Sequence, residues 1–322
     1  MNGKEWFGQA GFGMMIHWGL YSLLGGEWQG KRMDYIGEWI MSKYEIPNSE
    51  YTRLCDIFNP IYFNADDWVL AAKDAGMKYF VITSKHHDGF ALYHSKVDKY
   101  NVVDATPFKR DIIKELAVAA DRHGLKFGLY YSQLLDWHEP HGGGYSPHLY
   151  HTNRGGMSWD NDWDFPDRSK KDYRICYEKK IKPQVKEILT EYGDLCLVWF
   201  DNSSLDMPAD LSADLYNLVK RYQPNCLVNS RIGNGYGDYH SLGDNVLPES
   251  CEDNLIEAPV TLNHTWGYKS FDNDYKSPER IKEIYDKCRR CGANLLLNIG
   301  PDHLGRLPAP SVDVLRSFGA KY

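Results

Sequence analysis

The feature that most constrains the fold is the alternation of short apolar runs with longer amphipathic runs along the chain. Runs such as 79–83 (YFVIT) and 195–200 (LCLVWF) have the length and composition of strands buried on both faces of a sheet. The runs between them have the periodicity of amphipathic helices. The other candidate strands are 12–17, 126–131, 226–229 and 294–299, and the candidate helices are 64–75, 110–123, 171–192, 208–222 and 278–291. This pattern predicts a parallel sheet closed into a (β/α)8-like barrel of the TIM type, regular or irregular.

An open doubly wound sheet is the alternative that the same alternation allows. No G-x-G-x-x-G motif follows the first candidate strand, which disfavours the dinucleotide-binding version of that fold. Nothing marks a second domain, so we expect residues 1–322 to form one catalytic barrel domain. Residues 136–170 are the one long irregular segment; they follow a strand directly and are predicted to form a long active-site loop.

Charge and apolar content exclude several classes of function. The chain has 37 Lys and Arg against 44 Asp and Glu, a net charge of −7, so it lacks the basic surface typical of proteins that bind nucleic acid or anionic membranes. No apolar run approaches the roughly 20 residues of a membrane helix, and no signal peptide is recognisable at the start.

The cysteines indicate a reducing compartment. Seven of them are scattered along the chain, which does not resemble a disulfide framework, and we expect a cytoplasmic protein. Cys288 and Cys291 form a C-x-x-C pair without a second pair downstream, so we interpret them as incidental thiols rather than a metal or redox site.

Side chains that hydrogen-bond, stack or ionise follow every candidate strand except the last. In an α/β barrel the carboxyl ends of the strands line the active site, so these residues are predicted to converge. A content of 10 Trp and 23 Tyr fits a site that stacks on sugar faces. The strand-end groups are His17, His86 and His87, Tyr130 and Tyr131, Asp201, and Arg231.

Two kinds of chemistry fit such a rim. A zinc site is disfavoured because His17 stands alone on its strand and the adjacent His86 and His87 would reach one ion only with awkward geometry. Paired carboxylates fit better. Asp201 follows the most apolar strand and is suited to attack an anomeric carbon, and a second acid about 5–5.5 Å away would give retention of configuration.

Several motifs together resemble the α-L-fucosidases of glycoside hydrolase family 29, from about residue 7 to about residue 310. The motifs are FGMMIHWGLYS (12–22), GEWI (37–40), KHHDGFALY (85–93), LKFGLYYS (125–132), LVWFDN (197–202), NSRIG (229–233), TWGY (265–268) and LLLNIGPDHLGRLP (295–308). The resemblance implies a retaining, exo-acting hydrolase that removes terminal α-L-fucosyl residues from oligosaccharides or glycoconjugates, with transfucosylation as a related activity. It implies a TIM-type barrel and neither a metal nor an organic cofactor.

The chain ends soon after the last candidate strand, so the family's usual C-terminal β-sandwich is not expected. Barrel surface that the sandwich would otherwise cover could form a contact between copies of the chain. A catalytically decayed fucose-binding barrel and a metal-dependent barrel hydrolase are the alternatives to an active fucosidase.

The resemblance also assigns roles to individual residues. Asp201 matches the nucleophile, and Trp266 matches the aromatic wall beside the sugar's methyl group. Glu38 and Trp39 match a Glu-Trp pair that meets the sugar, with Glu27 and Trp28 as a second candidate. The remaining sugar contacts would be His17, His86, His87, Tyr131 (or Tyr130), Trp199 and Arg231.

The general acid/base stays open at this point. Asp244 stands nearest to the place after the Arg of the N-x-R motif where the family often carries its acid. Glu249 and Glu257 are the alternatives on the same stretch of chain. The segment 233–243 is rich in glycine, which predicts a mobile loop carrying the acid.

Overall fold

A computed structural model describes residues 2–142, 159–201, 207–251 and 255–322. Within these ranges an eight-stranded, all-parallel sheet has the order β7-β6-β5-β4-β1-β10-β9-β8, and β2 and β3 form a separate antiparallel hairpin. The strands are β1 (Phe12–Ile16), β2 (Glu27–Trp28), β3 (Lys31–Arg32), β4 (Tyr79–Lys85), β5 (Lys126–Tyr131), β6 (Leu197–Phe200), β7 (Leu227–Val228), β8 (His240–Ser241), β9 (Ile256–Thr261) and β10 (Asn294–Ile299).

The two outer strands of this sheet also meet each other. Asn229, just after β7, forms a parallel bridge with Tyr239, just before β8. The backbone N–H of Ser230 donates to the carbonyl of Tyr239 at 2.9 Å. The sheet therefore curls round on itself, which confirms the predicted (β/α)8-like barrel and rules out the open sheet.

Helices pack around the strands as the periodicity predicts. The side chain of Asn64 accepts hydrogen bonds from the backbone N–H groups of Asp66 and Asp67 and so caps α5, a helix start that the sequence indicates. A π-helix, Tyr177–Ile181, joins α8 to α9. The helices are α1 (Gly3–Ala10), α2 (Tyr21–Leu24), α3 (Ile40–Lys43), α4 (Asn48–Tyr51), α5 (Ala65–Asp74), α6 (Val102–Ala105), α7 (Ile112–His123), α8 (Tyr173–Cys176), α9 (Lys182–Glu191), α10 (Ala209–Tyr222), α11 (Pro278–Arg290) and α12 (Ala309–Lys321).

Two hydrophobic clusters divide the core. One lies between the strands and the surrounding helices, and the smaller one fills the inside of the barrel. Successive side chains of a strand point to opposite faces, so Tyr130 and Trp199 lie inside the barrel while Tyr131 and Phe200 face the helices. Phe7 of α1 packs on Tyr239, with ring centroids 4.4 Å apart, and belongs to the inner cluster.

The structure differs from the sequence expectations in its strands and in its cysteines. Strands β8 and β9 were not predicted, because β8 has two residues and β9 carries Pro259 and Glu257 in its middle. Cys251 and Cys291 form a disulfide, so the expectation of unpaired thiols is wrong for this pair, while the other five cysteines are free and buried. Of the predicted loop 136–170, residues 143–158 lie outside the described residues. None of the described helices has the length and apolar content needed to cross a membrane.

Candidate active site

A narrow pocket opens at the carboxyl ends of the strands and gathers most of the predicted site residues. β1, β4 and β6 each deliver a side chain at the residue that follows or closely follows the strand. Two apolar residues that the sequence analysis did not predict, Met15 and Ile36, also line the pocket. The predicted residues in its lining are His17, Glu38, Trp39, His86, Trp199, Asp201, Arg231, Asp244 and Trp266.

Asp201 is held from several sides at the end of β6. The hydroxyl of Tyr130 donates to Oδ2 at 2.8 Å, and Nη1 of Arg231 donates to Oδ1 at 3.1 Å. The side chain of Gln133 clamps the backbone: Oε1 accepts from the N–H of Asp201 at 2.9 Å, and Nε2 donates to its carbonyl at 2.6 Å. The side chain keeps 15% of its surface exposed, so Asp201 is fixed in orientation yet accessible from the pocket.

The structure corrects one predicted contact. The Tyr131 hydroxyl donates to Gln184 Oε1 at 2.8 Å, on the helix side of the sheet, and does not line the pocket. Its neighbour Tyr130, the alternative, points into the barrel and reaches Asp201. The alternation of side chains along β5 explains why only one of two adjacent tyrosines can face the site.

Arg231 connects the two aspartates of the pocket. Besides its bond to Asp201, its Nη2 donates to Asp244 Oδ1 at 2.7 Å and to the carbonyl of Leu242 at 2.7 Å. Its guanidinium carbon lies 4.6 Å from the ring centroid of Trp199. Burial disfavours the charged form of Arg231, but Asp244 and Asp201 outweigh it and raise its pKa above the ordinary value.

The histidines are neutral hydrogen-bonding groups. Burial is the largest influence on each of them; it lowers the pKa of His17 to about 4, that of His87 to about 3, and that of His86 well below its ordinary value. Nδ1 of His17 donates to Asn298 Oδ1 at 2.7 Å, an orientation fixed because the Asn298 amide donates to the carbonyl of Trp266. Nε2 of His17 is therefore an acceptor suited to a hydroxyl group.

His87, a predicted sugar contact that is buried just outside the pocket lining, has the same arrangement. Its Nδ1 lies 2.7 Å from Ser132 Oγ, whose own hydrogen goes to the carbonyl of Leu135, so Nδ1 is the donor. Nε2 is left as an acceptor 3.7 Å from Asp201 Oδ2. Because His87 is neutral, this contact is not an ion pair, and a ligand hydroxyl placed near both groups would find two acceptors.

Glu38 is a buried carboxyl on which the effect of burial outweighs that of the nearby Lys269 ammonium. Its Oε2 accepts from the backbone N–H of Gly267 at 2.8 Å, and burial raises its pKa to about 8. It is thus protonated at neutral pH and can donate a hydrogen bond. The second candidate pair, Glu27 and Trp28, lies in the β2–β3 hairpin outside the pocket lining, with Glu27 exposed, so the structure favours Glu38 and Trp39.

Comparison with known proteins identifies the family. The sequence model described as alpha-L-fucosidase matches residues 1–321. The chain belongs to the α-L-fucosidase family. It is similar to the structure of the unliganded α-L-fucosidase AlfC from Lactobacillus casei at 50% identity, with a TM-score of 0.94 and coverage of 99% of this chain and 97% of that one.

More distant fucosidases match as well. The α-L-fucosidase from Vibrio sp. strain EJY3 is 37% identical, with a TM-score of 0.91 over 99% of this chain and 54% of that one. Plasma α-L-fucosidase of Rattus norvegicus is 32% identical over 98% of this chain and 67% of the relative. The chain spans about two thirds of the length of the curated relatives it matches.

Within this fucosidase fold the three candidate acids occupy different places. Asp244 lines the pocket, with 53% of its side chain exposed. Glu249 is exposed and outside the pocket lining, and Glu257 is fully buried inside the barrel. Asp244 is therefore the candidate that the fold brings together with Asp201.

Three other polar residues that shape the fucosidase pocket were not among the predicted site residues. Ser132 and Gln133 directly follow β5, so extending the strand-end rule by two positions would have found them. Asn298 stands in the otherwise apolar run of β10, and a polar residue inside such a strand indicates a buried hydrogen bond.

The described ends of the 136–170 loop border the pocket. Trp137 and Trp159 pack edge-on against Trp39, with ring centroids 5.1 and 4.9 Å apart. The carboxylate of Asp136 is buried against Lys85 at 2.9 Å and Lys180 at 3.1 Å, which anchors the start of the loop. Gly89 of the H-H-D-G motif has a φ of +79°, and a Cβ there would collide with Asp136, so this turn requires glycine.

Metal ligation by the pocket histidines finds no support in the geometry. Across residues 2–142, 159–201, 207–251 and 255–322, the group of three side chains close enough to share an ion is Asp98, His138 and Glu139. None of these lines the pocket. The Lys180 ammonium lies 2.7 Å from Asp98 and 3.4 Å from Glu139, so these two carboxylates are already paired with a lysine.

Proposed function

We propose that the protein is an exo-acting α-L-fucosidase that removes terminal α-L-fucosyl residues by double displacement, with retention of configuration. The observation that carries this proposal is the pair Asp201 and Asp244, joined by the single guanidinium of Arg231 in the pocket of a fucosidase fold. Two carboxyl groups flanking one bond are what retaining glycosidases use.

In the first step a carboxylate oxygen of Asp201 attacks the anomeric carbon of the fucoside. The bond from that carbon to the leaving oxygen breaks, and Asp244 gives its proton to the leaving oxygen. In this structure Arg231 donates to Oδ1 of Asp244, and Oδ2 is the oxygen that can carry the transferred proton. The result is a β-linked fucosyl ester of Asp201.

In the second step water attacks the same carbon from the face that the leaving group vacated. Asp244 takes a proton from the water, the ester bond breaks, and the Asp201 carboxylate is restored. A sugar hydroxyl in place of water would give transfucosylation. The solved structures of AlfC include variants described as fucosyltransferase mutants, which supports this second outcome for a chain of such similarity.

The other residues in the pocket and the adjacent His87 suit a 6-deoxy sugar. His17 and His87 present acceptors for hydroxyl groups, and Glu38 presents a donor because its raised pKa keeps it protonated. Trp266 packs against His17 with centroids 5.2 Å apart and gives the pocket an aromatic wall. An apolar wall favours a methyl group over a hydroxymethyl group, because the added hydroxyl would lose hydrogen bonds to water there.

For the aglycone we propose N-acetylglucosamine linked through its 6-hydroxyl. Solved structures of AlfC variants include a complex with Fucα(1,6)GlcNAc and one with 4-nitrophenyl α-L-fucopyranoside, and AlfC is about half identical to this chain. The test is fucose release from α(1,2)-, α(1,3)-, α(1,4)- and α(1,6)-linked fucosides at equal concentration. A preference for the α(1,6) isomer supports the proposal, and equal or reversed rates contradict the linkage assignment. Binding of fucose without turnover of any fucoside would contradict the enzyme itself.

A further inference from the structure

Glu257 is a fully buried carboxyl group that does not line the pocket. It lies on β9, and its side chain points into the barrel. Oε1 accepts from the indole Nε1 of Trp199 at 2.9 Å, and Oε2 accepts from the hydroxyl of Tyr79 at 2.7 Å. Burial raises its pKa to about 7, which shows that the chain keeps this carboxyl inside the barrel at a cost. The steps of the proposed reaction leave it without a role.

The partner Trp199 stands at the centre of the site. Its ring is stacked on Tyr130 with centroids 5.5 Å apart and an interplanar angle of 18°. The guanidinium carbon of Arg231 lies 4.6 Å from the centroid of the same ring. Tyr130 donates to Oδ2 of Asp201, and Arg231 donates to Oδ1. The indole thus contacts two of the groups that orient the nucleophile.

An indole N–H is a donor only, so inside a barrel it needs one fixed acceptor. The carboxyl of Glu257 supplies that acceptor and is itself tied to Tyr79 on β4. A tilt of the indole would displace Tyr130 and Arg231 together, and with them the carboxylate of Asp201. Misplacement of a reacting group by about 1 Å can cost about a hundredfold in rate.

We propose that Glu257 is a positioning residue of the fucosidase reaction: through the Trp199 N–H it fixes the indole that sets Tyr130 and Arg231 against Asp201. This inference rests on the proposed function, since it needs Asp201 to be the nucleophile. It also gives Glu257 a role other than that of general acid.

The test compares four variants with 4-nitrophenyl α-L-fucoside and with an α(1,6)-linked natural substrate. Glu257→Gln keeps an amide oxygen that can accept from Trp199, and Glu257→Leu removes every acceptor. Trp199→Phe keeps an aromatic ring but deletes the N–H. Tyr79→Phe is the matched control, since it removes the Tyr79 hydrogen bond to the same carboxyl and leaves the Trp199 bond in place.

We expect Glu257→Leu and Trp199→Phe each to lower kcat about 10- to 100-fold with a smaller change in KM. Glu257→Gln should stay within about tenfold of the wild type, and Tyr79→Phe within about twofold even if its Tm falls. In the double variant Glu257→Leu/Trp199→Phe the two losses should not multiply, because both delete the same bond.

Three results would overturn the inference. The first is a Trp199→Phe variant with wild-type kcat. This result is informative even if Glu257→Leu does not fold. The second is multiplication of the two losses in the double variant. The third is a Glu257→Gln variant that loses the natural substrate, spares the activated one and is rescued by azide, since that pattern identifies a general acid. If the wild type itself releases no fucose, the proposed function fails rather than this inference.

Discussion

The two aspartates of the pocket are held in contrasting ways. Asp201 follows a barrel strand, keeps 15% of its side chain exposed, and is fixed by Tyr130, Arg231 and Gln133. Asp244 lies in the stretch between β8 and β9, is 53% exposed, and contacts Arg231. A nucleophile needs one fixed geometry, whereas an acid/base must serve a leaving group and then a water. The difference in support therefore matches the difference in proposed role.

The largest loss of activity is expected at Asp201, the aspartate held by more hydrogen bonds. Asp201→Ala should lower kcat by several orders of magnitude, because the covalent route is lost while the fold persists. Steady-state hydrolysis of 4-nitrophenyl α-L-fucoside measures this, with a Tm comparison for folding. Asp194→Ala, an exposed aspartate ahead of the amino end of β6, is the control and should behave as wild type. More than about a tenth of wild-type kcat in Asp201→Ala would remove the assignment.

Asp244→Asn should lower activity on natural fucosides much more than on an activated fucoside, unlike Asp201→Ala. Natural fucosides should lose about 100- to 10,000-fold, because their leaving oxygen must be protonated, and 4-nitrophenyl fucoside should lose much less in the fucosylation step. Pre-steady-state bursts on the activated substrate would show a fucosyl-enzyme accumulating. Glu249→Gln provides the comparison on the same stretch of chain. Equal loss on both substrates, with the selective pattern appearing in Glu249→Gln, would place the acid at Glu249.

Glu38 differs from both aspartates because burial raises its pKa despite the Lys269 ammonium nearby. Its folded-state pKa of about 8 lies above the ordinary 4.5, so it stabilises the fold fully below about pH 4.5 and loses that contribution as the pH rises through about 8. Relative to Glu38→Gln, the wild type should therefore lose about 3 kcal/mol of unfolding free energy between about pH 5 and about pH 8. Urea titrations of both proteins at the two pH values measure this. A difference that does not change with pH would show that Glu38 is ionised in the fold.

The smallest effects are expected at the neutral histidines. His86→Ala and His87→Ala should each weaken fucose binding by about 1–3 kcal/mol, the value of hydrogen bonds left unmade in a polar site. Calorimetric titration with fucose gives the loss directly, and His94→Ala, an exposed histidine outside the pocket, is the control. Elemental analysis of the same proteins is part of this experiment. Stoichiometric zinc in active wild type that is absent from these variants would show that the histidines bind a metal.

The fold and most of the site could be predicted because both follow from the barrel strands. Once the apolar runs are read as parallel strands, their following residues must meet at one rim, and His17, His86 and Asp201 do so. To choose between Tyr130 and Tyr131, one must know which residues of β5 face the inside of the barrel. That depends on how β5 is aligned in the sheet. The alignment is set by the register of β5 with β4, which is a tertiary contact and not a local sequence pattern.

The general acid could not be chosen from sequence for a related reason. Glu257 was an alternative to Asp244 on the same stretch of chain, and the structure shows that Pro259 and its neighbours form strand β9, which places the glutamate inside the barrel. The disulfide between Cys251 and Cys291 depends on where that same stretch lies against the end of α11. Loop paths are fixed by long-range packing rather than by local periodicity, so their residues stay ambiguous in a sequence.

The anomeric configuration of the fucosyl azide formed by two variants tests the central claim most directly. With 4-nitrophenyl α-L-fucoside and azide, Asp201→Ala should give the β-azide, because azide attacks in place of the missing nucleophile. Asp244→Asn should give the α-azide, because azide displaces Asp201 from the fucosyl ester. Proton NMR of the two products distinguishes the anomers. Opposite configurations would establish that Asp201 and Asp244 act on opposite faces of the sugar, and the same configuration from both variants would contradict the account.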